Sequence, residues 1–307
     1  MTMARARAPE IPQAGEQCLL AGMRCLGQGS RMLSDYHTHT PLCHHAEGAP
    51  LEYAQAAKAA GLAEIGLSDH NPMPEAFDDW RMAREDLPRY LQWVEEARQA
   101  MGDFPVRLGL ECDYLSGHLP WLEQTAQMAP WDYLIGSVHY IDDGVAVDDP
   151  KHLSRWRNAS DLAWMWERYW QLYAEMIQSR LFDIHAHPDL AKRFGLRPAG
   201  DLRRFYEASI EALAATGAAL EVSTAGLRKD VREIYPAREM LEMAFAAGVP
   251  IVINSDAHRP QDVGADYAQA LALVRSVGYR STLRFEGRRR REVPLPETWP
   301  TAATSTP

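Results

Sequence analysis

The chain has 307 residues, 46% hydrophobic, 9% aromatic and 24% charged, which excludes a wholly disordered, collagen-like or disulfide-scaffold protein. Lys and Arg number 32 against 42 Asp and Glu, and the formal charge of −10 disfavours sequence-independent nucleic-acid binding, which relies on cationic patches. No apolar run approaches the ~18 residues of a membrane span, and four cysteines (Cys18, Cys25, Cys43, Cys112) at irregular spacing suit a reducing cytoplasm.

In chain order, residues 1–32 show no clean period of 2 or 3.6 and read as an N-terminal extension, poorly ordered, with no apolar stretch of a secretory signal. Short apolar or β-branched runs follow at Ser34–His39, Glu64–Ser68, Val106–Glu111, Tyr133–Ser137, Asp183–His187, Ala219–Ser223 and Pro250–Asn254, each bounded by Gly, Pro, Asp or Asn as strands usually are. Helical patterns fill the gaps at Leu51–Ala60, Arg84–Met101, Ser160–Ser179, Leu202–Thr216, Ala237–Ala247 and Ala265–Val277, most of them stopped by a glycine. Residues 294–307 read as a Pro-rich tail, leaving 33–293 as one domain. Strand–helix alternation implies a parallel sheet, and about seven units fit an α/β barrel better than two domains, although an open doubly wound sheet has the same local pattern.

The 11 histidines follow the strands. His37 and His39 are i and i+2 on the first predicted strand, so both side chains point one way and can hold one metal ion. His70 leaves the second strand, Glu111 ends the third, His139 follows the fourth, His187 the fifth, and Asp256 and His258 the seventh. A lone histidine is more often a surface or hydrogen-bonded core residue than a ligand. A histidine or carboxylate at six of seven strand ends is a different matter, because in a barrel those ends form the active-site face. His44, His118, His152 and His185 fall outside the pattern and are assigned structural roles.

The blocks His37–Cys43, Ser68–Met73, Arg81-Met82, Asp189–Gly195, Gly226–Lys229 and Ser255–Pro260, in this order, resemble the polymerase and histidinol phosphatase (PHP) superfamily of metal-dependent phosphoesterases, and most closely its monofunctional histidinol-phosphatases. The resemblance runs from about Leu33 to Phe285. It implies a distorted (β/α)7 TIM-like barrel with three divalent transition-metal ions (Zn, Mn or Fe), which mixed nitrogen and oxygen sites accept alike. Carried over by position, the metal ligands are His37, His39, His45, His70, Glu111, His139, His187, Asp256 and His258, with Glu111 bridging two ions and His45, not its neighbour His44, in the loop position. Glu111, Asp256 and His70 are also the expected catalytic residues. The implied reaction is hydrolysis of L-histidinol phosphate by metal-hydroxide attack, in histidine biosynthesis in the cytoplasm. Three such ions against Glu111, Asp256 and hydroxide leave a net of about +3 to attract a phosphate dianion, even in an acidic chain.

Arg193 and Lys192 after the fifth strand, Arg228 and Lys229 after the sixth, and Arg259 beside His258 are candidates to finish the phosphate pocket. The substrate-binding set is Arg193, Arg228, Lys192 and Arg259; the sixth strand supplies no ligand, and its loop is free for substrate. Glu47 or Asp113 stands where it could receive the substrate's ammonium or imidazole. Trp164, Trp166, Trp170 and Tyr173 read as barrel-packing residues, Arg288–Arg291 as a solvated basic run, and Asp142, Asp143, Asp148 and Asp149 match a calcium loop in composition only. Two other readings compete: a PHP phosphoesterase acting on another phosphate monoester or nucleotide, and a metal-bearing module without catalysis. The expected partner is a small-molecule phosphate monoester, with no nucleic acid and no membrane.

Overall fold

Strand β1 (Ser34–Asp35) pairs in parallel with β2 (Glu64–Leu67), and β2 with β3 (Val106–Leu108), in a computed structural model that describes residues 33–142 and 144–299. The expected extension at 1–32 lies outside the described residues. After β3 come β4 (Glu111–Asp113) and β5 (Ile135–Ser137), then a small antiparallel hairpin of β6 (Tyr140–Asp142) and β7 (Val145–Ala146). Strands β8 (Ile184–His185), β9 (Ala219–Ser223) and β10 (Ile251–Asn254) complete a second parallel sheet in the order β10-β9-β8-β5-β4. Parallel bridges between Thr38 and Ala257 and between His70 and Glu111 join the two sheets at both seams. The result is the closed seven-unit ring expected from the alternation.

The expected third strand, Val106–Glu111, is in fact two, broken at Gly109. The ring of Tyr133 lies against that backbone and against Gly66, where an added Cβ would sit 2.2 Å from Tyr133 atoms. Tyr133 donates its hydroxyl to Tyr36 O at 2.6 Å, tying three strands together inside the barrel.

Helices α1 (Pro50–Ala59), α2 (Leu87–Met101), α3 (Leu119–Thr125), α4 (Ala159–Gln178), α5 (Arg203–Thr216), α6 (Arg238–Ala246) and α7 (Tyr267–Val277) follow in order. Their ends are set by local chemistry. Asn158 caps α4 by accepting from Asp161 N at 2.9 Å, and α5 stops at Gly217, whose φ of 70° is open to glycine at little cost. Of the aromatic residues on α4, Trp166, Trp170 and Tyr173 are buried against the barrel as expected, whereas Trp164 is exposed and stacks on Trp156.

The chain closes with an antiparallel hairpin, β11 (Ser281–Glu286) and β12 (Arg289–Pro294). Leu283 and Phe285 on β11 plug the N-terminal end of the barrel, packing with Tyr36, Tyr133, Ile135, Ile184 and Val252. Two expectations need correction here. Residue 294 lies inside β12, and beyond it Leu295 is buried and Trp299 meets the Tyr267 ring at 5.3 Å, so the chain after 293 stays on the barrel as far as it is described. Nor is the basic run uniformly solvated, because Arg288 donates to Leu181 O and pairs with Asp183.

Candidate metal centre

The barrel register brings the candidate ligands together. His39 N donates to Ala257 O and Ala257 N to His37 O, so the His37/His39 pair runs beside the Asp256/His258 pair. Glu111 N donates to Asp69 O and Asn71 N to Glu111 O, which sets His70 beside Glu111. His139 and His187 follow the neighbouring strands β5 and β8, and His45 reaches the same mouth from the loop after β1.

Distances sort these side chains around Glu111. Its Oε2 lies 3.1 Å from His37 Nε2 and 3.5 Å from His39 Nε2, and Asp256 Oδ1 is 3.3 Å from His39 Nε2. Its Oε1 lies 3.1 Å from His187 Nε2 and 3.8 Å from His139 Nε2. His45, His70 and His258 form a third group, with His258 Nε2 2.9 Å from His45 Nε2, and His70 Nδ1 also stands 3.1 Å from Glu111 Oε2.

The outer nitrogens are held from behind. His37 Nδ1–H donates to Glu221 Oε1 at 2.9 Å, His139 Nδ1–H to Asp113 Oδ1, His45 Nδ1–H to Cys43 O at 2.7 Å and His258 Nδ1–H to Asp256 O at 3.3 Å. Each bond fixes a tautomer whose Nε2 lone pair faces inward, the arrangement that metal-bound histidines use. Inside the ring, His37 Nε2, His39 Nε2, His70 Nδ1 and Glu111 Oε2 are buried with no hydrogen-bond partner. Four unpaired polar atoms in one buried spot carry a heavy desolvation cost, and a shared cation removes it. The donor set therefore fits transition-metal ions.

Charge tells the same story. Burial pushes the carboxyl pKa values of Glu111 and Asp256 up, but the surrounding imidazoles, His37 foremost, outweigh it and hold both well below the usual range. Burial keeps His70 and His258 well below the usual histidine value, so both are neutral and free to ligate. For His139, burial is overcome by the Asp113 carboxylate, which lifts its pKa to about 10; a cation bound there would take the proton's place.

The cluster opens into a cavity of about 660 Å³. Arg193, Arg228 and Lys229 line it from one side, and Arg259 stands at its edge, exposed and paired with Asp262. Arg228 has donors already engaged, since its Nη2 donates to Ser255 O and its Nη1 lies 3.7 Å from Asp266 Oδ2. Lys192 does not reach the cavity. It is fully buried and bound to Asp189 at 2.9 Å, because the turn after β8 sends neighbouring side chains in different directions; it is a structural residue, contrary to expectation. Asp113 is likewise committed, to His139 and to Arg81 Nη2 at 2.8 Å, and exposed Glu47 is not among the residues lining the cavity.

Other functional positions were not foreseen. Glu221 on β9 is fully buried and accepts from His37, from Asn254 Nδ2 at 2.7 Å and from His187 N at 2.5 Å. Its signal in the sequence is a carboxylate inside an otherwise apolar strand. Trp80 walls the mouth, with its ring 5.8 Å from that of His70 and 5.6 Å from that of His139, and donates Nε1–H to Tyr140 at 2.7 Å. Of the histidines assigned structural roles, exposed His44 bonds Asp79 O at 2.9 Å, His152 bonds Ala146 O at 3.0 Å, and His185 is buried beside Tyr173 and Phe182. His118 contacts Phe77, with ring centroids 6.4 Å apart.

Residues 35–225 match the PHP domain. The chain is 40% identical over 259 residues to a Deinococcus radiodurans protein named "Probable histidinol-phosphatase", covering 84% of this chain and 98% of that one. It is 27% identical over 266 residues to the histidinol-phosphatase of Bacillus subtilis, covering 76% of this chain and 96% of the relative. Among solved structures, the histidinol phosphate phosphatase of Lactococcus lactis, complexed with Zn, L-histidinol and phosphate, superposes with a TM-score of 0.69 at 22% identity, over 85% of this chain and 100% of that one.

Proposed function

The chain belongs to the PHP domain family, and from that premise we propose that it is a histidinol-phosphatase, hydrolysing L-histidinol phosphate to L-histidinol and phosphate in histidine biosynthesis. The observation that carries this reading is the ring of inward-facing, unpartnered imidazole nitrogens around Glu111, opening onto a cavity with a cationic wall. The distances support three ions: one would be held by Glu111, His37, His39 and Asp256, one by Glu111, His139 and His187, and one by His45, His70 and His258. Zn, Mn and Fe all suit these donors. Divalent ions bound there supply Lewis-acid stabilisation of a transferring phosphoryl group and activate water near neutral pH.

The protein's own share is positioning and neutralisation, which is most of what phosphoryl transfer asks of a protein. Glu111 offers an oxygen to each of two groups. Glu221 and Asp113 fix the tautomers of His37 and His139. Arg193 and Lys229, assisted by Arg228, offset the charge of the phosphate, while Trp80 and Tyr140 shield the mouth from water. The substrate is a small-molecule phosphate monoester. No helix among the described residues is long and apolar enough to cross a membrane, and a cytoplasmic setting suits this biosynthetic step.

Initial rates of phosphate release from L-histidinol phosphate, nucleotide monophosphates and p-nitrophenyl phosphate test the assignment. A preference for histidinol phosphate well above tenfold in kcat/KM is expected. Equal turnover of all three would overturn the substrate while leaving a phosphomonoesterase.

A further inference from the structure

Carboxylates line the cavity beside the metal centre, and nearly all have an evident partner or role. Glu111 and Asp256 belong to the donor cluster. Asp78 is tied to Arg81 at 2.6 Å, Asp149 to Lys151 at 2.6 Å and Asp262 to Arg259 at 3.0 Å, while Asp79 is exposed at the rim. Asp148 has no such ion-pair partner and stands outside the donor cluster. Its side chain is half-buried, and its Oδ1, like Glu111 Oε2 inside the cluster, is buried with no hydrogen-bond partner, a costly state for a carboxylate that a cationic ligand relieves.

The backbone around Asp148 is fixed on both sides. Val147 N donates to His139 O at 2.8 Å, which sets the next residue level with a metal-ligand candidate. Asp149 caps the following turn by accepting from Lys151 N at 2.9 Å. Asp148 lines the cavity together with His139 and Lys229. It therefore borders the place where a phosphate meets the metal centre.

In L-histidinol phosphate the ammonium nitrogen is only four bonds from phosphorus. Whatever receives that ammonium must stand at the edge of the metal cluster, as Asp148 does. We infer that Asp148 binds the ammonium group of the substrate and makes the site select a phosphate ester with a neighbouring cation over esters without one. This rests on the histidinol-phosphatase reading and names the residue that enforces it.

The test pairs Asp148→Asn with a substrate that lacks only the amine, 3-(imidazol-4-yl)propyl phosphate, using the metal-loaded enzyme. Loss of one charge-assisted bond is expected to raise KM for histidinol phosphate about tenfold or more, with kcat nearly unchanged and the des-amino substrate affected less than about twofold. Calorimetric binding of L-histidinol should weaken by a similar factor, and binding of inorganic phosphate should not change. Equal losses on both substrates, whether in KM or in kcat, would overturn the inference while leaving the phosphatase assignment intact, since Asp148 would then serve the metal site or the leaving group. A wild-type enzyme with no preference for histidinol phosphate over nucleotide monophosphates would instead overturn the assignment, and this inference with it.

Discussion

Glu221→Gln is the substitution whose outcome the geometry constrains most tightly. The side chain keeps its size, so no cavity forms, but one acceptor oxygen becomes an NH2 donor. Wild-type Glu221 accepts at both oxygens: Oε1 from His37 Nδ1 and Asn254 Nδ2, and Oε2 from the backbone N–H of His187. With the amide oxygen toward His37, the new NH2 meets the His187 N–H donor to donor. With the amide flipped, the NH2 faces His37 and Asn254, and His37 has to move its proton to Nε2, the atom aimed at Glu111. Either placement leaves a buried donor unpaired at about 1–3 kcal/mol. For a domain of this size that is roughly 2–10 °C in the Tm of metal-free protein. Loss of the carboxylate behind a metal-bound histidine should also weaken metal binding by about 10–100-fold. Differential scanning calorimetry of stripped protein and calorimetric metal titration measure the two effects separately. A variant as stable and as tightly metal-binding as wild type would refute the role assigned to Glu221.

Other substitutions have equally definite outcomes. His45→Ala should reduce kcat/KM by far more than His44→Ala, because His45 faces His70 and His258 while His44 bonds Asp79 O at the surface; the reverse ranking would move the ligand to His44. Arg193→Ala should raise KM for histidinol phosphate about tenfold through loss of a charge-assisted phosphate contact. Lys192→Met should instead lower thermal stability with KM unchanged, because it strips buried Asp189 of its cation. His185 has both ring nitrogens buried without partners, and burial lowers its pKa to about 3. The unfolded chain takes up a proton near pH 6.5 that the folded chain refuses, so stability is lost as pH falls from about 6.5 toward 3. Metal-free His185→Leu should lose less over that window in pH-dependent denaturant melts, and parallel curves for the two proteins would contradict this.

The part of the site that follows strand periodicity was legible in the sequence. His37 and His39 at i and i+2 need only an extended backbone to face one way, and the bridge between Thr38 and Ala257 sets them beside Asp256 and His258; that second pair shares the spacing but not the backbone, because Asp256 leaves β10 with a left-handed φ of 51°. Side chains that leave turns were not legible. Lys192 and Arg193 are adjacent and alike in charge, yet one is buried against Asp189 and the other lines the cavity; only the path of the turn after β8 separates them. Nothing in the spacing of candidate ligands singles out Glu221, because its carboxylate acts through His37 from behind. The plug of β11 and β12 is not legible either, because Arg289, Arg290 and Arg291 on β12 face solvent and give no apolar alternation, leaving Leu283 and Phe285 on its partner strand to fill the barrel end.

The most direct test of the central claim is stepwise return of a transition metal to chelator-stripped protein, with bound metal and phosphate release from L-histidinol phosphate measured on the same samples. Activity should be negligible in stripped protein and rise to a plateau as three equivalents bind, and Glu111→Gln should bind less metal and stay inactive at every ratio. Full activity in protein shown by elemental analysis to be metal-free would contradict the account.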